Sequence, residues 1–177
     1  MRKSLLFSLS LLFVACSGEL VGNKYCDLPA RFVFTPVNSI SQLRTSCESM
    51  GEWCSIEADG NRFLFTKPDG SQGIANRLQI TGYTGFYMGL TGFIVGLPTI
   101  PEMDALQPVV TCYDLACRNC YDDFYVARRL ELREGGFAYC SRCQRTYNLN
   151  NTGQSDNGKP LFRYRVYYGN NTLSISN

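Results

Sequence analysis

The chain of 177 residues contains no histidine, a single tryptophan and almost no surplus of charge of either sign. The missing histidine removes Ser-His-Asp and Cys-His catalysis, His-ligated haem and any zinc site with an imidazole ligand. Lys and Arg number 17 against 15 Asp and Glu. Two of those bases, Arg2 and Lys3, belong to an N-terminal segment that reads as removable, which leaves 15 against 15. No basic surplus remains to neutralise a phosphate backbone, so nucleic acid is set aside as a partner. Long apolar runs are also missing, since the N-terminal one falls short of the ~20 residues that span a bilayer. What is abundant is cysteine, nine residues in all, in a chain that is 45% hydrophobic and 18% charged. Those proportions suit one domain with a buried core, stapled or metal-bound.

The first sixteen residues read as an address. Met1-Arg2-Lys3 is basic, Ser4–Ala15 is mostly apolar, and Phe13-Val14-Ala15-Cys16 places a small residue before a cysteine. That last run resembles the lipobox of bacterial lipoproteins. The resemblance implies cleavage before Cys16, a lipid on its sulfur and an acylated amine, and so attachment to the cell envelope. Ordinary secretory cleavage a residue or two later is the alternative. Ser17 stands where an Asp would signal retention at the inner membrane, which points to the outer membrane. The expected organisation is a signal segment over 1–15, a lipid-anchored tether over 16–25 and one domain over 26–177. Outside the cytoplasm, paired thiols oxidise unless a metal holds them.

Most of the domain reads as β. Arg31–Thr35, Arg62–Thr66, Val109–Tyr113, Leu130–Arg133, Phe137–Tyr139 and Leu161–Tyr168 alternate as strands. Pro68–Ser71 and Gly169–Asn171 are turns, the second closing a hairpin onto Thr172–Ser176. Ser39–Met50 is the one expected helix, with Asn38 or Ser39 as its cap and Gly51 as its stop. Glycines 82, 85, 89, 92 and 96 mark either a small-residue membrane helix or, more in keeping with Pro98 and Pro101, strands with close backbone approach. Asn150–Pro160 reads as a surface loop. Phe63, Phe65, Tyr83, Phe86 and Tyr87 form either a ligand platform or core, and strand aromatics favour core.

The chemistry sits in Cys117-Arg-Asn-Cys120 and Cys140-Ser-Arg-Cys143, with 19 residues between the two motifs. Two residues between cysteines let one tight turn aim both sulfurs at a point, and two such knuckles close a tetrahedron of four thiolates. Sulfur ligation suits zinc and iron alike. Arg118, Arg142 and Arg145 stand beside these cysteines and either offset thiolate charge or are simply solvated. Cys26, Cys47, Cys54 and Cys112 remain. Cys47–Cys54 is the simplest bridge, and Cys112 suits a core position beside the site.

The flanks carry a second resemblance. Tyr113–Cys120, Phe137–Cys143, Tyr147-Asn148-Leu149, Gly158-Lys159-Pro160, Leu161, Tyr164 and Val166 together resemble a Rieske domain, and more closely the Rieske-like lipoproteins of Bacteroidota in which both loops are C-x-x-C. The resemblance implies a mainly β fold: a Rieske-like antiparallel sandwich of three stacked sheets with a rubredoxin- or zinc-ribbon-like metal subdomain at about 112–149. It aligns Cys117 and Cys140 with the Rieske cysteines and Cys143 with the second histidine. Asn119 stands at the place of the first histidine, with Cys120 one residue later. Arg118 replaces the usual Pro. An all-thiolate cluster would lie at lower potential than a true Rieske centre.

Three functions follow as expectations. The first is structural Zn²⁺ held by Cys117, Cys120, Cys140 and Cys143 in a membrane-anchored binding or scaffolding module without catalytic residues. The second is an all-Cys [2Fe–2S] centre serving electron transfer or redox sensing with an unidentified redox or protein partner. The third is a metal-free thiol or disulfide protein. Against a thiol oxidoreductase, neither pair is expected to open a helix after a strand or to sit in a thioredoxin-like β-α-β pattern.

Overall fold

The computed structural model describes residues 24–77, 85–103 and 105–177. The signal segment, Cys16, Gly82 and Tyr83 lie outside them. In chain order the strands of the larger sheet are β1 (Ala30–Phe34), β2 (Trp53–Asp59), β3 (Arg62–Thr66), β4 (Gln72–Asn76), β5 (Tyr87–Met88), β6 (Phe93–Gly96) and β7 (Thr111–Asp114). A smaller sheet follows, from β8 (Glu131–Arg133), β9 (Phe137–Tyr139), β10 (Thr146–Asn148) and β11 (Gln154–Ser155). The hairpin β12 (Arg163–Gly169) and β13 (Thr172–Ser176) then returns to the larger sheet.

The larger sheet runs β4-β3-β2-β6-β7-β12-β13-β1-β5, with antiparallel pairing throughout. It folds over on itself. Phe32 of β1 meets Phe63 of β3 edge-on at 5.1 Å, and Phe34 meets Phe65 at 4.9 Å. Those strands stand near opposite ends of the strand order, so the contact closes a sandwich. The period-2 alternation of the middle strands then supplies two cores. Cys54, Phe93, Val95, Cys112 and Tyr164 point into the phenylalanine-lined first core. Trp53, Ile94, Tyr113 and Leu115 point the other way, onto the small sheet with Ala138, Tyr147 and Leu149. β6 and β7 are therefore buried at every residue. Each fully buried large apolar side chain adds about 1.5–3 kcal/mol.

The glycine-rich stretch forms strands and tight turns where it is described. A Cβ on Gly96 would strike the Glu52 carbonyl and the Trp53 ring, and Gly92 sits at φ +132°. Among the described residues no helix is long and apolar enough to cross a membrane. Phe63 and Phe65 are core, Phe86 packs against that core, and Tyr87 is exposed.

Several expectations are corrected. Among the described residues there are two α-helices where one was expected. α1 spans Ser41–Glu48, shorter than 39–50, and a 3-10 turn at Val37–Ser39 precedes it. Neither Asn38 nor Ser39 caps it; Ile40 holds that place without a side-chain bond. The reason is that Asn38 and Ser39 are consumed by the 3-10 turn, where the Ser39 hydroxyl donates back to the Pro36 carbonyl at 2.7 Å. α2, Arg118–Phe124, begins directly after Cys117. The stretch expected as a loop over 150–160 contributes β11. All eight described cysteines are free thiols, Cys47 and Cys54 included.

Candidate metal centre

Four segments bring the two motifs together. β7 ends at Asp114, whose buried carboxylate accepts from the backbone N–H of Ala116 at 2.7 Å and of Leu90 at 2.8 Å and from the Tyr164 hydroxyl at 2.6 Å. That knot fixes the turn leading to Cys117. Cys117 caps α2, and Cys120 follows on its first turn. The second motif lies between β9 and β10. The Cys140 N–H donates to the Arg145 carbonyl at 3.0 Å, and the Gln144 N–H to the Cys140 carbonyl at 2.8 Å. Gln144 accordingly sits at φ +59°, a left-handed conformation uncommon outside glycine.

The four expected ligands converge. The Sγ atoms of Cys117, Cys120, Cys140 and Cys143 all lie within 4.8 Å of one another, three of them buried and Cys143 partly exposed. Cys117 and Cys143 are 3.6 Å apart, and Cys120 and Cys140 are 3.7 Å apart. Four thiols that close, with no carboxylate or amide oxygen among them, form a donor set for a soft or borderline metal ion.

The surroundings grade the thiols. Burial pushes Cys117 up to about 11, partly relieved by the Tyr147 hydroxyl and the Cys120 N–H. Burial and the neighbouring sulfurs push Cys120 higher still. At Cys143 burial also opposes the thiolate. The Arg145 backbone N–H and the other three sulfurs outweigh it and bring the value down to about 7. The Arg145 side chain also bonds Cys143. Arg118 instead pairs with Asp122 at 3.5 Å and lies over the Phe162 ring, while Arg142 is exposed. Of the three arginines, Arg145 is the one whose side chain bonds a sulfur of the cluster.

A polar bracket that sequence reasoning missed holds the first knuckle. Asn119 is buried, and its Nδ2 donates to the Tyr147 hydroxyl oxygen at 2.8 Å and to the Lys159 carbonyl at 3.2 Å. Its Oδ1 accepts the Lys159 N–H at 3.1 Å. With its oxygen occupied by Asn119, the Tyr147 hydroxyl has its proton free to point at Cys117 Sγ, 3.0 Å away. Gly158, at φ +134°, leaves room for Asn119 where a Cβ would collide with the amide. Asn119 thus faces the backbone and a tyrosine. Only its position within C-R-N-C marked it beforehand; its partners are 28 and 40 residues away.

Cys143 opens onto a cleft of about 500 Å³ lined by Asp123, Phe124, Arg142, Arg145 and Asp156. The other four described cysteines do not join the site. Cys47, Cys54 and Cys112 lie in the first core, and Cys26 packs against it. Burial pushes the Cys54 thiol up to about 12 and Cys112 well above its ordinary value. No family model, curated protein or solved structure matches the chain.

Proposed function

We propose that Cys117, Cys120, Cys140 and Cys143 hold a single tetrahedral ion, Zn²⁺, as a structural clamp in a lipid-anchored, non-catalytic binding or scaffolding module of the cell envelope. The close approach of all four sulfurs carries this reading. With Zn–S near 2.3 Å, a tetrahedron has edges of about 3.8 Å. The two close contacts, at 3.6 and 3.7 Å, match that edge. A [2Fe–2S] cluster would insert two irons and two sulfides between thiolate pairs, so sulfurs on different irons stand further apart.

The partition of contacts supports the same choice. In a Rieske-type arrangement the two cysteine positions share one iron and the two histidine positions the other. That would pair Cys117 with Cys140 and Cys120 with Cys143. The close contacts join Cys117 to Cys143 and Cys120 to Cys140 instead. Zinc closed by four thiolates has no open position and no redox chemistry, so it supplies only folding energy. The chain's own part is to hold the knuckles: Asp114 fixes the approach to the first, Gln144 the turn of the second, and Asn119 with Tyr147 the sulfur of Cys117.

One observation favours the iron–sulfur alternative: Cys143 is partly exposed beside an open cleft, which an electron-transfer partner needs. Elemental analysis and a visible spectrum of the anaerobically purified full chain decide between them. One zinc per chain without colour is expected. Two irons with sulfide and charge-transfer bands would replace the proposal with an electron carrier. No metal, with the four thiols oxidised, would overturn both metal-bound forms.

A further inference from the structure

The segment joining β6 to β7 carries exposed apolar side chains that the metal centre does not use. Ile100 is 57% exposed, Val109 52%, and Met103 and Leu106 are fully exposed. Four protruding apolar side chains on one connection are more than scattered surface residues need explain.

The described chain begins at this same place. Lys24 Nζ donates to Glu102 Oε2 at 3.2 Å, and Arg163 forms a second ion pair with Glu102. Tyr25 lies under the guanidinium groups of Arg163 and Arg165. The Glu102 carboxylate is thereby turned inward, with its side chain only 16% exposed, and does not charge the apolar tip. The loop's other acid, Asp104, lies outside the described residues.

We propose that the loop bearing Ile100, Met103, Leu106 and Val109 seats on the bilayer to which Cys16 is anchored. The inference rests on the lipid-anchor reading and deepens it. Eight residue steps separate Cys16 from Lys24 and reach at most roughly 28 Å when fully extended. The tether therefore keeps the Lys24 end of the domain beside the membrane, at high effective concentration. The apolar side chains at that end enter the acyl boundary, and Lys24 stands at the headgroup level. The tether alone would leave the domain free to tumble; the loop fixes which face it turns outward.

The test uses the chain's single tryptophan, Trp53, which is 1% exposed and serves as a shielded reference. The full mature lipoprotein carrying Leu106→Trp is reconstituted into phosphatidylcholine–phosphatidylglycerol vesicles brominated on their acyl chains. Fatty-acid labelling of Cys16 is read in the same preparation, with Cys16→Ser as its control. Loss of the added Trp emission is expected, with Trp53 emission retained as evidence of folding. Ile74→Trp, at a 51% exposed site on the edge strand β4, is expected to stay bright. An acylated protein whose position 106 stays bright overturns the inference and leaves the anchor standing. Quenching at 74 equal to that at 106 also overturns it, since the domain would then contact lipid without preference. Absence of fatty acid on Cys16 overturns the anchor and the inference together.

Discussion

The eight described cysteines divide evenly between two cores, and the two halves behave oppositely. Around the first core, Cys26, Cys47, Cys54 and Cys112 come from a loop, a helix and two strands, and Val95 stands between Cys54 and Cys112 in the sheet. There each thiol packs as a small hydrophobe, and burial keeps it protonated. Beside the second core, four cysteines come from two short motifs, and backbone N–H groups reach two of the sulfurs. Identical side chains are scattered as filler or gathered into one cluster according to whether the local backbone aims them at a common point.

Metal removal is the strongest way to break this comparison. Structural zinc is worth ~10–16 kcal/mol in small metal domains. A chelator, or Cys120→Ala, is therefore expected to abolish hydrogen-exchange protection across β8–β11 and α2. Cys54→Ala should keep full metal occupancy and lower stability by about 1 kcal/mol. Equal losses in the two variants would erase the distinction.

The next largest effect belongs to the first core. Phe65 is fully buried against Phe34, and Phe65→Ala should cost about 3–5 kcal/mol in denaturant unfolding while leaving the metal stoichiometry unchanged. Asn119→Ala follows. It strips the Lys159 N–H and the Tyr147 hydroxyl of a buried partner and should cost about 1–3 kcal/mol. Its diagnostic is faster metal release to a competing chelator, which a mutation in the first core should not produce.

The smallest effect sharpens the comparison from outside both cores. Glu102 is opposed by burial, but bonds from Arg163 and Lys24 hold its carboxyl below the ordinary value of 4.5. A depressed carboxylate contributes stability that is present above 4.5 and lost as pH falls through the lower folded value. Thermal unfolding followed from neutral pH downward should show that loss. Glu102→Gln should flatten the same acid limb and leave metal release unaltered.

Legibility in the sequence tracked the range of the interactions. Arg62–Thr66 matches β3 at both ends, because alternation and the Pro68–Ser71 turn are local. The hairpin at Asn170 and Asn171 was legible for the same reason, and both residues take positive φ. The gathering of the four cysteines was legible from spacing alone. α2 was not, since Arg-Asn-Cys-Tyr-Asp-Asp-Phe has no clean apolar period and is held by Cys117 and Cys120 at its start. Its position directly after β7 and Cys117 also corrects the expectation that no C-x-x-C pair opens a helix after a strand. The pairing around it is antiparallel, however, and lacks the parallel β-α-β crossover of a thioredoxin-like site. The Asn119 bracket and the Glu102 ion pairs were invisible because their partners lie 28–78 residues away. The Cys47–Cys54 bridge was a guess from proximity in sequence. α1 and β2 do bring the two thiols into one core, but as separate packed groups.

The pairing of β1 sets an order of events. Its long partner is β13, with Arg31 opposite Ser176 and Phe34 opposite Leu173. Its other neighbour, β5, offers only two residues. β1, the first of the described strands, therefore has no long partner until β13 has been made. Its phenylalanines, which close the sandwich on β3, must wait with it. Closure of the larger sheet thus waits on β13, and a polypeptide stopped before that strand would leave β1 with β5 alone.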